Sequence, residues 1–154
     1  MAPSTNYPPP PPLDSPALTD PLECPPLRWG ILGCGRVSHD FVQALKLVPT
    51  ASVTACAARD ISRAQAFATK HAVASAYGDY DELIQDASVD IVYVGNVHAF
   101  RRKDGEQCLK AGKHVLLEKP FTCNTEDAKY LIELAASKQL FLQEGMWTRF
   151  FHGR

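Results

Sequence analysis

Hydrophobic positions fall into two rhythms along this chain. Short, unbroken apolar runs alternate with longer stretches in which apolar residues return every three or four positions, the periods of strand and helix. The first run, Arg28-Trp29-Gly30-Ile31-Leu32, leads through a glycine pair into a helical pattern carrying Phe41, Val42, Leu45 and Leu47, expected to end near Leu47 ahead of Pro49. A small, β-branched strand is predicted over 52–58. Asp60 or Ser62 then caps a helix whose apolar set is Ala64, Phe67, Ala68 and Ala72. A short strand around 74–77 precedes a brief helix starting at Asp79 with Leu83 and Ile84 inward. The run at 89–94 is the most apolar, as a strand buried on both faces should be; it stops at Gly95-Asn96-Val97-His98.

A polar helix over 101–110 ends at Ala111-Gly112, with glycine placed to cap it. A fifth strand over 114–118 breaks at Lys119-Pro120. Asn124 and Asp127 then have capping-box spacing ahead of a helix with Leu131, Ile132, Leu134 and Ala135 inward. The last strand is predicted over 140–146. Six strands alternating with helices, without hairpin signals, predict an α/β doubly wound parallel sheet of the Rossmann type, order 3-2-1-4-5-6, in one domain spanning 28–151.

Composition changes this picture at one end. Ten of the twelve prolines lie in residues 1–27, five of them consecutive at 8–12, and the only charges there are Asp14, Asp20 and Glu23. Such a segment is expected to stay extended and disordered, locally polyproline II. Tyr7 beside the proline run would suit a proline-binding module, and a solvated tail accounts for the same composition. A net charge of −1 gives no footprint for nucleic acid, and no apolar run is long enough to cross a bilayer, so neither is an expected partner. The first residues lack the basic and apolar regions of a secretory signal. Five cysteines (Cys24, Cys34, Cys56, Cys108 and Cys123), an odd count without CxxC spacing, read as free thiols in a reducing compartment, with no metal site. A cytoplasmic protein is the expectation.

The candidate chemistry gathers at strand ends, where open parallel sheets bind their ligands. Gly33 permits a tight turn, Gly35 lets backbone approach a pyrophosphate, and the helix opening at Arg36 and Val37 aims its free amides at that phosphate. Ser38 holds the third position of the fingerprint, small enough for close helix–strand packing. An ordinary strand–helix turn would show the same two glycines. At the end of the second strand an acidic residue would suit the ribose of NAD; Arg59 stands there instead, able to fork onto a 2′-phosphate, so NADP is favoured over NAD. Neighbouring Asp60 keeps NAD open, and a surface arginine without a role is the plain alternative. Asn96, His98 and Glu118 mark the fourth and fifth strand ends. Lys119, if partly desolvated, could exchange a proton with a substrate hydroxyl; a solvated lysine before a proline is equally consistent. Cys34 reads as a small buried thiol.

These residues also resemble a known family. Arg28-Trp29-Gly30-Ile31 with Gly33-x-Gly35, Ala57-Ala58-Arg59-Asp60 with Arg63-Ala64 and Phe67-Ala68, and Ala111-Gly112-Lys113-His114-Val115-Leu116-Leu117-Glu118-Lys119-Pro120 are similar to the amino-terminal domain of the Gfo/Idh/MocA oxidoreductases. The ending Glu144-Gly145-Met146-Trp147-Thr148-Arg149-Phe150-Phe151 resembles the branch of dihydrodiol and NADP-dependent D-xylose dehydrogenases. The resemblance implies hydride transfer between a CH–OH carbon of a sugar or cyclic diol and the nicotinamide. Lys119 would be the catalytic lysine, Arg59 the 2′-phosphate anchor, and Gly33, Gly35 and Val37 the pyrophosphate turn. An Asn-x-x-His pattern common in the family aligns here with His98 and Arg101. Family members continue into a second, α+β domain that completes the substrate site and the oligomer contacts, whereas this sequence stops at His152-Gly153-Arg154. The polypeptide alone is therefore expected to bind nucleotide without turnover, taking a sugar or diol only if that domain is supplied; a stand-alone nucleotide-binding or regulatory module is the alternative.

Overall fold

The computed structural model describes residues 25–150, so most of the proline-rich tail, Cys24 and Phe151 lie outside the described residues. Six strands, β1 (Leu27–Leu32), β2 (Ala51–Ala57), β3 (Ser75–Tyr77), β4 (Ile91–Val94), β5 (His114–Glu118) and β6 (Leu142–Gly145), form one sheet. Its order is β3-β2-β1-β4-β5-β6, parallel throughout, as the alternation predicts. The intervening helices are α1 (Arg36–Leu45), α2 (Ile61–His71), α3 (Tyr80–Gln85), α4 (His98–Lys110) and α5 (Thr125–Ser137), and a 3-10 turn follows at Trp147–Phe150. None of these helices is long and apolar enough to cross a membrane.

The two faces of the sheet bury two cores. Leu32, Val92, Val94, Val115 and Leu117 pack against Leu83 and Ile84 of α3, Cys108 and Leu109 of α4, and Leu131 and Ala135 of α5. On the opposite face Ile31, Cys56 and Tyr93 meet Val42 of α1 and Phe67 and Ala68 of α2. β1 and β4 carry residues into both cores because each is flanked by strands and covered on both sides. The lower ends of β1 and β4 are tied by Arg28, whose Nη2 and Nε donate to the two Asp90 oxygens at 2.6 and 2.9 Å.

Several boundaries differ from expectation, each for a local reason. Leu27, placed in the tail by composition, opens β1 and pairs with Ala51 of β2. α1 stops at Leu45, leaving Leu47 83% exposed in the turn before Pro49. Asp60, rather than Ser62, caps α2: its Oδ1 accepts from the Ser62 amide at 2.9 Å. Ala72 does not face inward; it ends α2 in the left-handed region at φ 58°, and His71 is buried instead, 2.9 Å from His39. Ile132 on α5 is exposed, while Asn124 caps that helix as its spacing predicts, accepting from the Asp127 amide at 2.8 Å. α4 begins three residues early, so His98 opens a helix rather than ending a strand.

Crowding is greatest where β1 and β4 run out beside α1. A Cβ on Gly95 would lie 2.2 Å from Ser38 Oγ and 2.8 Å from Tyr93 Cε1. The Tyr93 ring cannot retreat, since it stacks on Phe41 at a centroid distance of 4.0 Å. Gly95→Ala should therefore cost about 1–3 kcal/mol through overpacking. Urea denaturation would read this as a lower midpoint at constant slope; a loss below about 0.5 kcal/mol would mean that the seam yields more easily than its packing implies.

Candidate functional site

The switch point of the sheet lies between β1 and β4, whose following helices pack on opposite faces. Here the turn after β1 is held from both sides. The Gly33 amide donates to Ala57 O and the Gly95 amide to Leu32 O, each at 2.9 Å. Gly33 takes φ 95°, and a Cβ there would also meet Asn96 N at 3.1 Å, so both conformation and space call for glycine. Ser38, fully buried, donates its hydroxyl to Gly33 O. The serine at the third fingerprint position thus fits under Gly95 and fastens α1 to the glycine turn.

Helix termini set the electrostatics. α2, α3 and α5 are closed by Asp60, Asp79 and Asn124. α1 and α4, on either side of the switch point, have no side-chain cap and no acidic residue in their first turns. Their free amides and positive dipole ends suit an anion. Gly35 lies at the N-cap of α1, and a Cβ there would have nothing within 4 Å. That open space over the amides is what a pyrophosphate needs.

A cleft of about 350 Å³ extends from this point. Of the predicted residues, Gly33, Gly35, Arg59 and Asn96 line it together. Cys34 also lines it; its thiol, half-buried, donates to Ala57 O at 3.4 Å. Arg36 and Val37 lie on the exposed first turn of α1 and His98 on that of α4, all outside the cleft wall. Glu118 is likewise outside it. Buried at the end of β5, it accepts from the Tyr93 hydroxyl at 3.1 Å and the Lys119 amide at 3.0 Å. Burial, and then the Glu118 charge, push the Tyr93 phenol far above its ordinary range. Lys119 is exposed rather than partly desolvated, at a cis Lys119-Pro120 peptide.

Five further residues escape the strand-end reading: Arg63 from α2, Tyr80 from α3, and Phe100, Lys103 and Asp104 from α4. The signal for the last three was their i, i+3, i+4 spacing on a polar helix, which puts them on one side. Asp104 is buried and bonded to the Asn96 side-chain amide, whose Oδ1 has no partner among the described residues. Burial holds the Asp104 carboxyl above its ordinary value. Arg101, aligned with a histidine of the family pattern, is buried too. It donates to Pro120 O at 2.6 Å and Asn96 O at 2.9 Å, joining the loops after β4 and β5. The open glycine cradle, the two uncapped helix ends and the unpartnered Asn96 oxygen fit a dinucleotide.

Comparison with known proteins agrees with this geometry. The family model GFO_IDH_MocA, an oxidoreductase family with an NAD-binding Rossmann fold, matches residues 27–146. Trans-1,2-dihydrobenzene-1,2-diol dehydrogenases are 44% identical in Danio rerio and 46% in Homo sapiens, each over 127 residues covering 81% of this chain. This chain spans 38% of the length of those relatives. A 3-ketoreductase from Actinomadura kijaniata, solved with NADP, superposes with TM-score 0.79 at 31% identity over 82% of this chain and 40% of its own. A scyllo-inositol dehydrogenase from Lactobacillus casei gives 0.76 at 25% identity over 82% and 38%.

Two outcomes follow. Gly35→Ala should leave the fold within about 1 kcal/mol of the parent, the scale of an N-cap change. It should weaken dinucleotide binding about tenfold or more by filling the cradle, so calorimetric titration with unchanged affinity would refute that placement. For Asp104, a raised native pKa makes the folded state the better proton binder. Stability should therefore fall as pH rises above about 3.9 through the native value. Asp104→Asn should melt higher than the parent at pH 7, and the gap should close in acid; thermal melts from pH 3 to 8 showing a lower-melting variant at pH 7 would contradict this.

Proposed function

The chain belongs to the Gfo/Idh/MocA oxidoreductase family as its NAD(P)-binding domain, and on that premise we propose that it selects NADP(H) over NAD(H). The observation that carries the reading is the contrast between Arg59 and Asp60. Arg59 is exposed, lines the cleft at the end of β2, and has no ion-pair partner among the described residues. Asp60, the residue that would favour a ribose 2′-hydroxyl, is instead committed to α2. Its Oδ1 accepts from the Ser62 amide and hydroxyl at 2.9 and 2.8 Å, bonds that hold its carboxyl below the ordinary range. A free guanidinium at this point suits a phosphate.

In the whole oxidoreductase the substrate class we propose is a sugar or cyclic diol carrying a CH–OH group, and the bound cofactor supplies the nicotinamide that accepts or returns hydride. The chain's own part is positional and protonic. Amides of the α1 terminus bind the pyrophosphate, and Arg59 holds the ribose phosphate. The buried Glu118 fixes the main chain of Lys119, whose Nζ would take the proton from the substrate hydroxyl during oxidation and return it during reduction. Exposed as it is here, Lys119 needs a substrate and its covering walls to exclude water. The support for this part is the family and the fixed turn at Lys119.

Titrating the chain with NADP+ and NAD+ tests the preference: NADP+ should bind tenfold tighter or more. Arg59→Ala should remove charge-assisted bonds worth about 1.5–3 kcal/mol and narrow the gap correspondingly. Equal affinity for both nucleotides in the unmutated chain would end the assignment.

A further inference from the structure

We infer that Lys103 is a second determinant of cofactor choice, closing with Arg59 on the ribose phosphate from the opposite wall of the cleft; this rests on the NADP reading above. Two adjoining clefts, of about 350 and 240 Å³, meet at a neck formed by Arg59, Tyr80, Lys103 and Asp104, the residues common to both linings. Arg59 enters from the end of β2 and Lys103 from the second turn of α4. Both are exposed, and neither has an ion-pair partner among the described residues. By contrast, Arg102 and Lys110 on the same helix are both paired with Glu106.

The distribution of charge decides which cleft would hold the phosphate. The smaller one sets Asp79, Asp81 and Asp104 against Arg59 and Lys103, a lining with more carboxylates than cations and so the less favourable of the two for an anion. Two of these carboxylates have local duties: Asp79 caps α3, and Asp81 accepts from Gln107 Nε2 at 2.9 Å. The larger cleft carries Arg59, Arg63 and Lys103 against the single carboxylate Asp104, which is buried and bonded to Asn96. A phosphate at the neck, on the side of the larger cleft, faces a planar fork from one wall and a compact ammonium from the other. NAD has no such phosphate, so it leaves Lys103 without a counter-charge. The cation therefore acts on the choice between the two nucleotides rather than on dinucleotide binding in general.

The experiment uses the full chain with NADP+ and NAD+ as probes, in the parent and in Lys103→Met, Arg59→Ala and the double variant. Lys103→Met should weaken NADP+ about tenfold, leave NAD+ within about twofold, and flatten the dependence of the NADP+ Kd on salt, with Tm unchanged. Lys103→Glu should push the discrimination further in the same direction. In the double variant the losses should be non-additive, as for two groups on one phosphate. If Lys103→Met weakens both nucleotides equally, or neither, while Arg59→Ala still narrows the preference, the role of Lys103 is overturned and the NADP reading stands. If the parent itself binds both nucleotides equally, it is the NADP reading that fails.

Discussion

Two missing Cβ atoms govern this structure. Gly33 and Gly95 lie at the ends of neighbouring strands, and neither has room for a side chain: one would meet the backbone of Asn96, the other Ser38 and Tyr93. Their closeness lets β1 and β4 pair side by side while their helices leave to opposite faces of the sheet. Both helix termini consequently open onto the same point. Nothing in either helix alone would create that convergence of unpaired amides; it is a product of close approach at the seam.

A second consequence is mechanical. α1, which presents its amides to the cleft, is seated through Phe41 on Tyr93, and the Tyr93 hydroxyl donates to Glu118 beneath the turn that carries Lys119. Glu118 also accepts from the Lys119 amide. α1 and the lysine turn are therefore linked through one ring and one buried carboxylate. Arg101 makes a parallel tie between the loops after β4 and β5. Buried ionic groups of this kind are costly to desolvate, and here the bonds that Arg101 does make tie the loops to one another.

The walls of the cleft divide the labour differently. β2 contributes Arg59 from a strand end, a place that parallel topology makes available to any ligand of the sheet. α4 contributes Phe100, Lys103 and Asp104 from a mostly polar helix, seated in the core by Cys108 and Leu109 and sunk further through Arg101 and Asp104. Such a helix gains little from burial on its polar side, so its charges are arranged by their neighbours rather than by the core.

The sequence by itself determined the layers, the strand order and the end of the sheet at which the cleft opens. Apolar period separates strand from helix, the absence of hairpin turns forces crossovers, and Gly33-x-Gly35 between a strand and a helix marks the end where the cleft opens. Capping chemistry was legible wherever it was local, as at Asn124 and Asp127. What only the tertiary structure decided depends on side chains meeting across elements. Arg59 and Lys103, from β2 and α4, come to line one cleft because the sheet brings the ends of those two elements together. The buried Glu118 carboxylate, at the end of β5, finds its hydroxyl partner in Tyr93, twenty-five positions earlier on β4. Lys103 joins the cleft because α4 crosses the end of the sheet at one rotation and not another. Local pattern determines which elements form; long-range packing determines which of their polar groups are still free to bind.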